Sequence, residues 1–431
     1  MAGTREPFEP NDETSLVGHR SDNGVEQLDA SEFRQAQSRT HCAAIRLPTS
    51  HRERYPRPVS ERDAIEELSD LFVFLADNDF AGYSVVYERL ARSIATDIQL
   101  LKFVDSSAHP NARRGRVPVL FFAATHDRIL ANPESKIAAI YRGDSTDDPM
   151  TPFLELIEKE RGAIIESMRT RSVQTNEVGR SAVLALAFGR ALQDVSTAAS
   201  LFEIGPSAGL NLYVDHFHID YSRDDRTVAS IGPEPSSVRL HCEIRGPNTP
   251  PLPTKSFDLA SRSGLDPNPI NVLSDSECRW LQACIWPGIP DRPQRLLAAL
   301  DIARQSPPRL VAGDAVTDLA AALDGIPTSD HLIIFSTWVL AYINADGRQA
   351  VLHTIDQLGA TRDLDFITFE EPRFTPWVES ADARVFDNYL GEGTPTQLSL
   401  RSWRGGVATT TPLAIAHPHG RWIHWLEENH G

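Results

Sequence analysis

Residues 201–212, Leu-Phe-Glu-Ile-Gly-Pro-Ser-Ala-Gly-Leu-Asn-Leu, place an acid, two glycines and a serine where an apolar run gives way to a helix-compatible stretch. Lacking a Cβ, Gly205 and Gly209 permit a sharp turn and a close approach of ligand to backbone. A strand, a glycine loop and a helix start, in that order, aim unpaired N–H groups and a positive helix end at the ligand. Three further apolar runs end in chemically capable residues: 257–266 in Gly264-x-Asp266, 309–315 in Gly313-Asp314-Ala315, and 331–342 in Ser336, Trp338 and Tyr342. Carboxylates at such strand ends accept hydrogen bonds from ribose hydroxyls or an adenine amino group. Aromatic faces beside carboxylates suit a cationic ligand such as a sulfonium.

Four other groups compete for attention. Gln174-Thr-Asn-Glu-Val-Gly-Arg180 is polar for the entrance to an apolar helix containing Val183, Leu184 and Leu186. Thr175 or Asn176 as a cap and Glu177 facing the helix dipole would explain it, with Arg180 paired to an acid. Projection of Asn176, Glu177 and Arg180 into a cleft, against substrate or cofactor, is the alternative. Asp215-His-Phe-His-Ile-Asp220 resembles a His-x-His-x-Asp metal cluster, but Tyr221 stands where a further histidine belongs, so no metal is assigned. His417-Pro-His-Gly-Arg-Trp422 marks a turn between strands and offers a candidate general base. Gly205-Pro-Ser207-Ala-Gly209 also matches the strand-to-helix elbow of serine hydrolases, and Asp314 and His417 follow in that fold's chain order. Pro206 restrains such an elbow, and Glu203 has no role in it.

The elements that must position these groups divide the chain in three. Residues 1–61 are polar and aperiodic and read as a disordered leader. From 62 to 197 the apolar spacing is helical, with helices expected from 64 and over 82–104, 116–131, 150–171 and 176–193. From 198 to 431, β-like runs at 199–205, 238–245, 257–263, 309–313, 331–337 and 364–369 are interleaved with helical stretches. That alternation indicates a parallel α/β sheet, and 397–403, 408–415 and 422–425 read as an antiparallel finish.

Composition excludes more than it selects. A formal charge of −17 argues against nucleic-acid or anionic-membrane partners. No apolar run is long enough to span a bilayer. The four cysteines form no CxxC pair and read as reduced structural thiols, so a cytoplasmic location with a small-molecule partner is expected.

The glycine loop and its companion acids resemble those of class I S-adenosylmethionine-dependent methyltransferases over roughly 200–431. The resemblance implies a Rossmann-like, mostly parallel sheet with an antiparallel closing strand, and S-adenosylmethionine as cofactor. On it, Glu203, Gly205, Ser207 and Gly209 hold the methionine side, Asp266 the ribose and Asp314 the adenine. Ser336, Trp338 and Tyr342 border the transferred methyl. Asp266 lies 57 residues past Gly209, far beyond the family's usual spacing, so either 213–255 is an insertion or Asp220 or Glu243 takes its place. A second resemblance spans 65–427. Gln174–Arg180, Glu203–Leu212, Trp280-Leu281 with Trp286-Pro287, and His417–Trp422 are similar to the motifs of a bacterial family catalogued as a domain of unknown function. It implies that helices and sheet form one unit. Besides methyl transfer, a serine hydrolase using Ser207 and a non-catalytic binding protein on the same fold remain open.

Overall fold

The computed structural model describes residues 61–253, 257–390 and 394–426; the expected leader, up to residue 60, lies outside them. The first part carries α1 (Glu61–Leu75), α2 (Val85–Thr96), α3 (Ile98–Ser107), α4 (Val117–Leu130), α5 (Lys136–Arg142), α6 (Met150–Thr170) and α7 (Ser181–Ala191), and no described strand. The single helix expected over 82–104 is two. Asp97 leaves helical geometry and its side chain accepts from Gln99 N and Leu100 N, capping α3. In α7 the run from Ser181 to Phe188 is buried on every side, as a helix inside a core must be. Among the described residues no helix is long and apolar enough to cross a membrane.

The second part is a mixed sheet. Its strands are β1 (Ala199–Ile204), β2 (His218–Arg223), β3 (Arg226–Ile231), β4 (Arg239–Arg245), β5 (Leu259–Asp266), β6 (Arg309–Ala312), β7 (His331–Thr337), β8 (Leu364–Glu370), β9 (Thr396–Arg404), β10 (Val407–Ala416) and β11 (Trp422–Trp425). They lie in the order β3-β2-β4-β11-β10-β9-β8-β7-β1-β5-β6. Between them run α8 (Asp275–Ala283), α9 (Arg292–Gln305), α10 (Leu319–Leu323), α11 (Ala345–Gly359) and α12 (Ala383–Asp387).

The block β6-β5-β1-β7-β8 is parallel throughout. Counted along the chain its order is 3-2-1-4-5, the doubly wound order, and the winding reverses between β1 and β7. Every residue of β1, β7 and β8 is buried, which is why these strands read as unbroken apolar runs rather than alternating ones.

The segments expected as an antiparallel finish, 397–403, 408–415 and 422–425, form β9, β10 and β11, but they do not end the sheet. Instead β11 pairs antiparallel with β10 and parallel with β4, and β2 and β3 follow. The stretch between β1 and β5 thus supplies β2, β3 and β4 to the far edge. One face of the sheet, with Leu201, Phe335 and Ile367, shares a core with the helices from Ile65 onward. The other face, with Phe202, Ile334 and Phe366, packs on Leu319 of α10 and on Val351 and Ile355 of α11. Helices and sheet thus share a continuous interior.

Candidate functional site at the carboxyl edge of the sheet

In an open α/β sheet, ligands bind outside the carboxyl ends of the strands where the winding reverses. Here that point is bounded by Glu203 to Gly209 after β1, Ser336 to Leu340 at the end of β7, and Glu370 closing β8. Asp266 ends β5, the strand beside β1, whereas Asp220 and Glu243 sit in β2 and β4 at the opposite end. Of the three acids, Asp266 is therefore the one that ends the strand beside β1.

The glycine loop has the backbone its letters require. Gly205 and Gly209 take φ of +70° and +72°, and Ser207 is held at +56°, a region costly for a residue with a Cβ. The loop does not offer the open N–H cradle expected of it. Gly205 N donates to Leu265 O (2.9 Å), Ser207 N to Asp266 Oδ2 (2.8 Å), Gly209 N to Pro206 O (2.7 Å) and Leu210 N to Asn176 Oδ1 (3.1 Å). The chain then enters a short 3-10 stretch, Leu210–His216, not an α-helix. The space left by the missing side chains is also filled. A Cβ on Gly205 would lie 2.5 Å from Val339 Cγ2, and one on Gly209 would lie 3.1 Å from Pro308 Cγ. Asp266 and Asn176 consequently act as braces of the loop, and the second Asp266 oxygen accepts from Asn268 N (2.8 Å).

Polar groups without partners gather at the strand ends instead. Glu203 and Glu370 are both buried, and Glu203 Oε2, Glu370 Oε2, Ser207 Oγ, Ser336 Oγ and Trp338 Nε1 have no hydrogen-bond partner. Buried polar groups are ordinarily satisfied, so each of these atoms points to a missing partner; by strand alternation Glu203 lies on the Leu201 face of the sheet, and Ser336 and Glu370 on the Ile334 and Phe366 face. Burial pushes the Glu203 carboxyl well above the ordinary carboxylate range, against the pull of Asn211 and Arg180. Burial pushes Glu370 up to about 7, although its Oε1 accepts from Val339 N (2.9 Å) and Leu340 N (3.2 Å). Ser336 lies close enough to influence Glu370, yet neither Ser336 Oγ nor Glu370 Oε2 makes a well-formed hydrogen bond. Trp338 has φ +58°, and its N–H donates to Phe369 O (3.1 Å), which locks it beside the end of β8.

Arg180 reaches this edge from the start of α7. Its Nε donates to Pro418 O (3.0 Å), its Nη1 to Thr337 O (3.1 Å), and its guanidinium carbon lies 6.0 Å from the Trp338 ring centre. It is the cation whose field reaches both Glu203 and Glu370. Glu177, three residues earlier, faces elsewhere: Arg292 Nε at 2.7 Å, His419 Nδ1 at 3.2 Å and Arg295 Nη2 at 3.4 Å surround it. Burial works to raise its pKa, but those three cations prevail and hold the carboxyl well below the ordinary range. Of the three polar residues expected from the helical side, Arg180 joins the strand ends, Asn176 braces the loop and Glu177 anchors an ion cluster.

The remaining candidates stand apart. Tyr342 is exposed with Arg116 stacked on its ring at 4.5 Å. Asp314 is exposed after β6, its Oδ1 accepting from Val316 N (2.7 Å). His417 is a weak base here: burial, then His419 and Arg421, push its imidazole well below the ordinary value, and its Nδ1 accepts from His419 N. His218 contacts Asp220 at 3.2 Å, and among the described residues no three His, Cys, Asp or Glu side chains converge on a metal position. A separate cleft of about 820 Å³ between α1 and α3, lined by Ile65, Ser69, Ile98 and Lys102, includes none of the strand-end groups. Glu370 was missed from the sequence. Its signal was the Glu370-Glu371-Pro372 stop at the end of the run 364–369.

A family model described as an uncharacterized protein conserved in bacteria matches residues 69–425. The chain belongs to this family, DUF2332. The match takes in α2 through β11, so the DUF2332 unit includes both the helices and the whole sheet. No curated protein matches the chain.

Proposed function

We propose that this DUF2332 protein is an S-adenosylmethionine-dependent methyltransferase acting on a small molecule. The observation that carries the proposal is the set of buried, unpartnered polar atoms at the reversal of a 3-2-1-4-5 sheet: Glu203 Oε2, Ser336 Oγ, Trp338 Nε1 and Glu370 Oε2. A Rossmann-like sheet serves several nucleotide cofactors, and charge discriminates between them. A dinucleotide needs free N–H groups for its pyrophosphate. The loop amides of Gly205, Ser207, Gly209 and Leu210 are already engaged, and two acids stand nearby. Glu203 and Glu370, with Asp266 beside Glu203, outnumber the single cation Arg180, a balance that disfavours an anionic nucleotide and admits a cationic cofactor. The Trp338 ring adds a face for a sulfonium. Glu203 would hold the cationic part of the cofactor, with Ser336 and Trp338 beside the methyl. When bound, the cofactor supplies an activated methyl group. The chain supplies orientation and exclusion of water, which can carry much of such a transfer.

Calorimetry with S-adenosylmethionine and S-adenosylhomocysteine tests the proposal, and saturable binding of both is expected. Absence of binding at millimolar ligand rejects it. The strained, buried Ser207 favours a hydrolase as the second reading, but its Oγ has no histidine partner to activate it. Labelling by a fluorophosphonate probe, lost in Ser207→Ala, would establish that alternative.

A further inference from the structure

We infer that residues 371–382, between β8 and α12, form a lid latched by Gln397, and that this lid must lift before any ligand reaches Ser336 and Glu370. The sheet face beneath it changes character along its own strands. Where it packs on α10 and α11 it is apolar, with Leu332 and Ile334 on β7, Leu364 and Phe366 on β8, and Trp403 on β9. The same alternation then carries on with Ser336 on β7, Thr368 and Glu370 on β8, and Ser399 and Gln397 on β9. Register sets Ser336, Thr368 and Ser399 in one row and Glu370 opposite Gln397 in the next. All five are at most 2% exposed. A permanently sealed interior favours apolar side chains, because a buried polar group without a partner is costly. Ser336 Oγ and Glu370 Oε2 carry that cost: both are buried and neither has a hydrogen-bond partner.

The segment above them is built as one piece. Phe374 N donates to Glu371 O (2.9 Å), Thr375 N to Pro372 O (3.1 Å) and Val378 N to Thr375 O (3.0 Å), so these hydrogen bonds stay within the segment. Val378 is buried, and Trp377 packs on the core shared by α10, α11 and this face, its Nε1 buried without a partner. The Phe374 ring lies 5.3 Å from the guanidinium of Arg348 on α11. Gln397 supplies the latch: its Oε1 accepts from Ala381 N (2.9 Å) and its Nε2 donates to Glu379 O (3.1 Å). Standing across from Glu370, Gln397 joins the lid to the strand pair that it covers. On release, the same Nε2 keeps Ser399 Oγ within reach, at 3.3 Å. Lifting the segment breaks the two latch bonds and the contacts of Trp377 and Val378, yet leaves every strand pairing intact. Such an opening is local and far cheaper than unfolding.

The lid serves any occupant, so its test needs neither cofactor nor substrate. In the unmodified protein, hydrogen exchange should show the amides of Val339 and Leu340, which donate to Glu370, opening together with Ala381 at low urea. Ile334 and Ile367, within β7 and β8, should exchange only through global unfolding. Gln397→Leu should speed exchange at Val339 and Leu340 about 10-fold or more, as the loss of two hydrogen bonds predicts, and leave the ratio to Ile334 correspondingly changed. Chemical access gives a second measurement. The thiol of Ser336→Cys should react slowly with methyl methanethiosulfonate, and about 10-fold faster once Gln397→Leu is added. The buried Cys242 of β4, read by peptide mass in the same samples, should react at an unchanged rate. Exchange of Val339 and Leu340 only with Ile334 and Ile367 would overturn the lid. So would equal acceleration of the Ser336→Cys thiol and Cys242, or no acceleration of either.

Discussion

The buried Glu370 makes a stability prediction that does not depend on any substrate. Its folded pKa of about 7 lies above the ordinary carboxyl value of 4.5. A raised carboxyl favours the folded state while protonated, so its contribution is intact below 4.5 and is lost as the pH rises towards 7. At roughly 1.36 kcal/mol per pH unit, the loss amounts to about 3 kcal/mol. Replacing Glu370 by glutamine removes the ionisation while leaving an oxygen to accept from Val339 N and Leu340 N. Parent and variant should therefore unfold alike near about pH 4, and the variant should be the more stable by about 3 kcal/mol at about pH 8. With roughly 2.1 cal/mol/K of unfolding entropy per residue, the alkaline difference is about 4 °C in Tm. Glu203 is present in both proteins and cancels. Urea titrations and thermal melts across this range are the assay. A variant that is less stable at alkaline pH, or a difference that does not change with pH, would show that Glu370 does not titrate in isolation from cations.

Four further substitutions probe the frame around the site. Glu177→Gln should destabilise by about 3–5 kcal/mol at neutral pH, because Arg292, Arg295 and His419 lose their buried counter-ion. Since the Glu177 pKa is depressed, that stabilisation is present above 4.5 and disappears as the pH falls through the folded value; denaturation midpoints in acid should converge. Gly205→Ala should cost about 1–3 kcal/mol from a positive φ and the approach to Val339. Adding Val339→Ala should recover part of that loss, and strict additivity would mean that the two residues do not touch. Asp266→Ala should leave Ser207 N and Asn268 N unpaired at a cost of about 2–4 kcal/mol, read from urea midpoints; an unchanged midpoint would remove Asp266 from its role as brace.

The buried strands were legible because strands covered on both faces show as uninterrupted apolar runs. The runs at 331–337 and 422–425 coincide with β7 and β11, and 309–313 and 364–369 miss β6 and β8 by a single residue. β2 and β3 were not recognised as a pair. β3 is the short edge strand and its residues from Arg226 to Val228 face solvent, so no apolar pattern is imposed on it; β2 lies between β3 and β4 and is mostly buried, its polar residues masking the run. Strand order was hidden for a different reason: periodicity reports how a strand is buried, not which strand lies beside it. That concealed both the extension of the sheet beyond β11 and the position of Glu370, which is notable only because β8 lies beside β7. Arg180 and Glu177 illustrate the same limit at closer range. They are separated by two residues, yet one reaches the strand ends and the other is enclosed by Arg292, Arg295 and His419.

The glycine loop changes meaning once its neighbours are known. Residues of this kind serve a ligand when the vacated space and the backbone N–H groups face outward. Here Val339 occupies the space at Gly205, and Asp266 and Asn176 take up the N–H groups of Ser207 and Leu210. The loop is thereby a rigid floor. On the proposed reading a rigid floor is useful: it would fix Glu203 and Ser207 without leaving a polar cradle that favours phosphate over a cation. Charge at the site then comes from Glu203, Glu370, Asp266 and Arg180, all buried, in a medium where each is expensive to leave uncompensated. A ligand that supplies the missing positive charge lowers that cost on binding. Uptake of a cationic cofactor should consequently release protons from Glu203 or Glu370, whereas an anionic nucleotide would have to bind against them.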